Sequence, residues 1–392
     1  MKTSKFFVCS FLFCLATVLL VAPECGARVR KSKFKPFVIE NLEPAPDFWK
    51  VRPAQIEEVC KSVVKGHSEV IARTPLGYPV YAVYYGDFSE DAPQSNWSAG
   101  NSSNTVDSYL GTQRHAQTVM LIAGVHGAEA ESVAAAINLI RMLETGSDFK
   151  GDSDPELLSL IEKYRLIIVP CANMDGRSIC PDHLRGVPYE QFRAVSQGLW
   201  ADGSLVGWRG SKEYFPLPMD KVSFPGGYPN SQGFNIQHDA TPGDVRTAEA
   251  RALLKLAARW RVDFVLNSHS CEYQSFMLAP SFVDTPEHIE YGMALSTACN
   301  QALYEAGLRR FPRPCKEASR TLNINNLFNM ASGALALTLE CTVSWDDVKK
   351  QNVLYTFEQL MAPPLVCLKT ILACGMQKPF NSRGNAGFEK AL

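Results

Sequence analysis

Three apolar stretches of this 392-residue chain each run into a side chain that can bind a metal or move a proton. Residues 118–125 lead into His126-Gly127-Ala128-Glu129, residues 263–267 into Ser268-His269, and residues 335–339 into Glu340. Two neutral imidazoles and one carboxylate suit Zn²⁺, with a fourth position left open for water. A second carboxylate beside them can take the proton from that water. His126, Glu129, His269 and Glu340 are the candidates for these roles. The rival reading of each residue alone is ordinary: a hydrogen-bonded histidine at a strand end, or a paired structural carboxylate.

The elements that must bring these residues together are strands alternating with helices. Strands are expected at 80–85, 118–125, 165–169, 263–267 and 335–339. Helices are expected at 54–65, 129–144, 247–260, 286–306 and 355–376, the last interrupted at Pro363-Pro364. Such alternation predicts an α/β domain with a mixed, largely parallel sheet and helices on both faces. In sheets of this kind ligands bind beyond the carboxyl ends of the strands, where the three candidate segments fall.

At this point the chain resembles the zinc metallocarboxypeptidases of the carboxypeptidase A type. The resemblance rests on His126-x-x-Glu129, a later strand-end His269 and a still later Glu340. Arg73-Thr74-Pro75-Leu76-Gly77-Tyr78-Pro79-Val80 looks like that family's opening hairpin, and Asn173-Met174-Asp175-Gly176 like its Asn-Pro-Asp-Gly turn. Trp208-Arg209 resembles the Trp-Arg pair whose guanidinium polarises the scissile carbonyl, which would make Arg209 an electrophile; its bland alternative is a solvated loop arginine. The resemblance implies that His126, Glu129 and His269 hold one Zn²⁺, that Glu340 is the general base and acid, and that the amide bond of a peptide or acylated amino-acid substrate is cleaved.

One segment departs from the family pattern. Gly-x-Asp-x-Asn-Arg reads here as Gly233-Phe234-Asn235-Ile236-Gln237-His238. Asn235 replaces the Asp that orients a zinc-bound imidazole, and its amide oxygen can still accept. Gln237 and His238 replace the Asn-Arg pair that clamps a substrate carboxylate, and a neutral His cannot stand in for a bidentate guanidinium. Two alternatives therefore stay open: an amidohydrolase or deacylase on the same fold, and an inactive binding protein that keeps the fold. Gly-x-Ser-x-Gly, His-Glu-x-x-His, the P-loop and GxGxxG are all absent, so serine-hydrolase, zincin and nucleotide-binding readings lack a signature.

Composition sets the remaining bounds. Lys and Arg number 39 and Asp and Glu 40, a net charge of −1 that gives no reason to expect nucleic acid as a partner. Lys2 and Lys5, an apolar run over 6–22 and Cys25-Gly26-Ala27 describe a secretory signal peptide cleaved near Ala27, with a signal anchor as the rival. Secretion implies no membrane association after cleavage, and sequons at Asn96 and Asn101 fit a glycoprotein. Residues 28–53 read as a basic extension or pro-segment, 54–376 as the catalytic domain and 377–392 as a tail. Nine cysteines follow residue 27 with no CxxC among them, so a few disulfides and an unpaired thiol are expected.

Overall fold

The computed structural model describes residues 28–89, 102–104, 116–280, 286–312, 314–317, 322–343 and 354–380. The signal segment, Asn96, Asn101 and the tail past 380 lie outside the described residues.

Runs of β-branched and aromatic residues bounded by Gly, Pro and Asn make strands, and longer amphipathic runs make the helices between them. In chain order these are α1 (Pro53–Lys61), β1 (His67–Arg73), β2 (Pro79–Tyr85), β3 (Thr118–Ile122), α2 (Ala130–Thr145), α3 (Pro155–Ile161) and β4 (Arg165–Val169). Next come α4 (Met174–Ile179), α5 (Tyr189–Gln197), β5 (Leu199–Trp200), α6 (Gly207–Glu213) and β6 (Val222–Phe224). A 3-10 turn (Ile236–His238) precedes α7 (Ala248–Arg259), β7 (Phe264–Cys271), β8 (Phe276–Met277) and α8 (Pro286–Glu305). The last elements are α9 (Ile324–Ser332), β9 (Leu335–Thr342) and α10 (Phe357–Gln377).

Seven strands form one sheet in the order β1-β2-β4-β3-β7-β9-β8. The central four, β4-β3-β7-β9, are parallel, and the flanking β1, β2 and β8 pair antiparallel, so the sheet is mixed as expected. From β3 the chain goes to β4 on one side and later returns to β7 on the other. The crevice at the carboxyl ends of β3 and β7 is thus the topological switch point, the place where open α/β sheets bind ligands.

The central strands are buried on both faces, which is why 119–122, 166–169 and 264–266 read as unbroken apolar runs. On one face Leu121, Leu266 and Leu337 pack with α2, α8 and α10; on the other Met120, Val265 and Ala336 pack with α7 and α9. Helix α10 is long and apolar enough to cross a bilayer. Yet it buries Leu360, Leu368, Ile371 and Leu372 in this core. It runs unbroken through Pro363-Pro364, where an interruption was expected; burial of Leu360 and Met361 before the pair and Cys367 and Leu368 after it holds the axis.

Three further differences from the sequence reading matter. Strand β7 extends four residues and β9 three past their expected ends, because they pair with each other through Cys271 and Thr342. Residues 28–53 are part of the fold: Phe34, Phe37, Ile39 and Leu42 pack on Ile179, Leu184 and Phe224, and Trp49 and Val51 enter the main core. The expected disulfides do not form. All nine cysteines are free thiols, most of them buried singly as small apolar residues, and burial pushes Cys60, Cys171 and Cys180 up to about 12.

Candidate metal centre

Beyond β3 the chain must turn sharply to present His126 and still start α2 four residues later. Gly127 makes this possible. A Cβ there would lie 2.1 Å from the backbone carbon of Gly176, and the Gly127 amide donates to Gly227 O at 2.6 Å. Gly227 is equally confined, since a Cβ on it would lie 2.4 Å from the Ala128 Cβ. Glycine is required at both positions because backbone meets backbone.

Glu129 is the N-cap residue of α2, so its carboxylate lies at the positive end of the helix dipole. One turn-position further, buried Glu131 accepts from Ser270 Oγ at 2.7 Å. That bond ties the start of α2 to β7 immediately after His269, and so fixes the spacing between the two ligand-bearing segments. The three ligand atoms then converge. His126 Nδ1 lies 2.7 Å from Glu129 Oε1, His269 Nδ1 lies 2.9 Å from Glu129 Oε2, and the two Nδ1 atoms are 3.3 Å apart.

The opposite ring nitrogens are held by amide oxygens. His126 Nε2–H donates to Asn235 Oδ1 at 3.1 Å, and that oxygen also accepts from the Gln237 backbone N–H at 3.0 Å, which fixes the amide's orientation. His269 Nε2–H donates to Gln237 Oε1 at 3.2 Å, which also accepts from Asn267 Nδ2 at 2.9 Å. With the protons on Nε2, each neutral ring turns an Nδ1 lone pair toward the other and toward a carboxylate. Three acceptors in a buried space repel unless a cation lies among them. Burial works against ionisation of Glu129, but without a metal, positive charge on the two imidazoles and hydrogen bonds from them outweigh burial and hold the acid at about 2, the role a metal cation among the three groups would take over. The donor set, its closeness and its fixed tautomers fit Zn²⁺.

Glu340 is the register partner of His269 across the β7–β9 ladder, so both side chains leave the sheet on one face. They share a cavity of about 180 Å³ with His126. Burial first, then the charges of Glu129 and Glu272, push the Glu340 acid up to about 8, against the opposing pull of His269 and Lys212. Tyr228 packs against a ligand, its ring edge-on to His126 with centroids 4.4 Å apart.

Residues 67–198 match the family model described as zinc carboxypeptidase. That match, over about a third of the chain, is to a zinc carboxypeptidase segment. The matched span contains His126 and Glu129 and stops short of His269 and Glu340, which the fold brings to them. The matched segment supports a zinc metallopeptidase. Its fold is similar to that of a metallo-carboxypeptidase from Burkholderia cenocepacia (16% identity, TM-score 0.51, covering 83% of this chain and 68% of that one). A metallo-carboxypeptidase from Pseudomonas aeruginosa (14%, TM-score 0.50, 83% and 68%) and carboxypeptidase A from Helicoverpa armigera (13%, TM-score 0.50, 86% and 75%) are also similar in fold. No curated protein sequence matches the chain.

Within that family frame the structure brings His126, Glu129, His269, Glu340, Asn235, Gln237 and His238 together and leaves Arg209 out. Arg209 is exposed on α6, outside the cavity wall. Gln237, expected at the substrate, spends its side-chain oxygen on His269 and Asn267 and so positions a metal ligand. His238 does line the cavity, and burial, reinforced by the charge of Lys212, lowers it to about 4, so the ring is neutral at pH 7. Sequence reasoning missed Lys212, which lines the same cavity. Its signal was the Trp208-x-x-x-Lys212 spacing, which places both residues on one face of a helix. It also missed Tyr228, which no local pattern marks.

Two outcomes test this geometry. Replacing Asn235 with Ala removes the acceptor that fixes His126 and should weaken Zn²⁺ affinity about 10–100-fold, while Asn235→Asp restores it, as chelator competition would read. In metal-free protein the Glu340 carboxyl should titrate with a midpoint near 8, neutral below and ionised above. Zinc loading should lower that midpoint, because a nearby dication favours the anion. A carbon-13 carboxyl titration that gives an ordinary acid value in both states would contradict the assignment.

Proposed function

We propose that this protein hydrolyses an amide bond at the end of a peptide or acylated amino acid, with one Zn²⁺ per chain and Glu340 as the proton carrier. The observation that supports it most is the convergence of two Nδ1 lone pairs and the Glu129 carboxylate beside Glu340 in one cavity. Bound zinc would supply Lewis acidity to water and to the scissile carbonyl. The chain's own residues do the rest. Asn235 and Gln237 hold the imidazoles with Nδ1 directed inward. Glu340 takes the proton of the attacking water and returns it to the leaving amine, a task suited to a carboxylate whose pKa burial has moved toward neutrality. The Tyr228 ring packs edge-on to the indole of Trp208, 5.7 Å apart by their centroids, and Trp208 lines the cavity.

Glu340→Gln should retain stoichiometric zinc and lose about 10²–10⁴-fold in kcat, measured on otherwise identical N-acylated peptides with free and amidated C-termini. Faster cleavage of the free acid marks a carboxypeptidase, whereas equal rates on both would shift the assignment to an amidase. Full activity in the variant would exclude Glu340 from the chemistry.

We further propose, from the sequence of residues 1–27, that the chain enters the secretory pathway and is cleaved after Ala27. Terminal sequencing of protein expressed with its leader should then begin at Arg28; a retained Met1 would show an anchor or no export.

A further inference from the structure

Among the described residues, Lys212 is the one lysine or arginine that lines the cavity. Its Nζ lies 3.7 Å from the centroid of the Trp208 ring one helical turn earlier. The stem therefore lies along the indole and the ammonium is held at the edge of the cavity that contains His126, His269 and Glu340. Its charge acts on both Glu340 and His238, and among the described residues no carboxylate forms a salt bridge with it. It thus stands beside the position where the family pattern has Arg and this chain has a neutral His238.

The deeper wall is built to donate. Thr338, two residues before Glu340 on the same face of β9, accepts from Asn325 Nδ2 at 2.8 Å. The Asn325 oxygen is taken in turn by Asn267 Nδ2 at 2.9 Å. The side-chain oxygens of Thr338, Asn325 and Gln237 are thus engaged within the network, while Asn267 Oδ1 is buried with no partner among the described residues. The Thr338 hydroxyl proton, the second Asn325 N–H and the Gln237 Nε2 amide are left for a ligand. Apart from Glu340, which the chemistry occupies, no anionic side chain lines the cavity among the described residues.

We propose that Lys212, with Thr338 and Asn325 supplying oriented hydrogen bonds, binds a carboxylate of the substrate next to the scissile bond. This rests on the reading of the zinc site as a hydrolase. A lysine ammonium is a point charge without the fork geometry of a guanidinium, so the hydroxyl and the amide must fix the carboxylate's orientation. The carboxylate can come from the substrate's C-terminus or from an acidic side chain beside an amidated end.

The test is calorimetric binding to zinc-loaded full-chain Glu340→Gln protein, which holds substrates without turnover. Three ligands separate the sources: an N-acyl dipeptide ending in free leucine, its C-terminal amide, and the corresponding amide ending in glutamate. Adding Lys212→Gln should weaken at least one carboxylate-bearing ligand about tenfold or more while leaving the leucine amide within about twofold. Lys212→Arg should restore most of the loss, and Arg209→Gln should change nothing. The ligand that responds identifies the source. Equal weakening of all three, no weakening, or loss of discrimination in Arg209→Gln would overturn the assignment and leave the hydrolase reading standing. Failure of the zinc-loaded protein to bind any of the three would remove that reading, and the proposal with it.

Discussion

Two imidazole lone pairs and a carboxylate that face one another across about 3 Å in a buried space form an arrangement that folding alone does not favour. Much of the surrounding structure keeps these groups in place. The glycines at 127 and 227 let the ligand loop lie against its neighbours, Glu131 ties α2 to β7, and two amide side chains hold the far nitrogens. A cation at the centre turns mutual repulsion into attraction and accounts for why so many buried polar groups are spent on one point.

The same segment that fixes the imidazoles also shapes the substrate side. The 3-10 turn Ile236–His238 is gripped from within by Asn235, whose one oxygen serves both the His126 ring and the Gln237 backbone. Gln237 then points into the ligand framework and His238 toward the cavity. A change in this turn is therefore felt at the metal and at the substrate together, whereas Lys212 lies on a separate helix.

The parallel core and the ligand triad were legible in the sequence because both leave dense local signals: doubly buried strands read as apolar runs, and ligands fall where those runs stop. Helix α9 and the short helices α3–α6 were not, since they are brief and carry mixed faces whose burial depends on tertiary neighbours. Strand β1 was hidden because, as an edge strand, it alternates exposed and half-buried residues with no apolar run. Arg209 and Lys212 show the limit for site residues. Both are exposed cations in one short helix, and only the direction in which the helix presents them puts Lys212 at the cavity and Arg209 away from it.

The strand order has a consequence for how the site comes into being. His126, His269 and Glu340 stand on β3's exit, β7 and β9, neighbours in the sheet but remote along the chain. Pairing of this kind closes long loops before any contact rewards it, which makes it slow. No single segment of the unfolded chain can hold a metal with three protein ligands, in contrast to short motifs that fold around theirs. Metal capture is therefore a report that the central sheet has already assembled, a late checkpoint in maturation rather than its trigger.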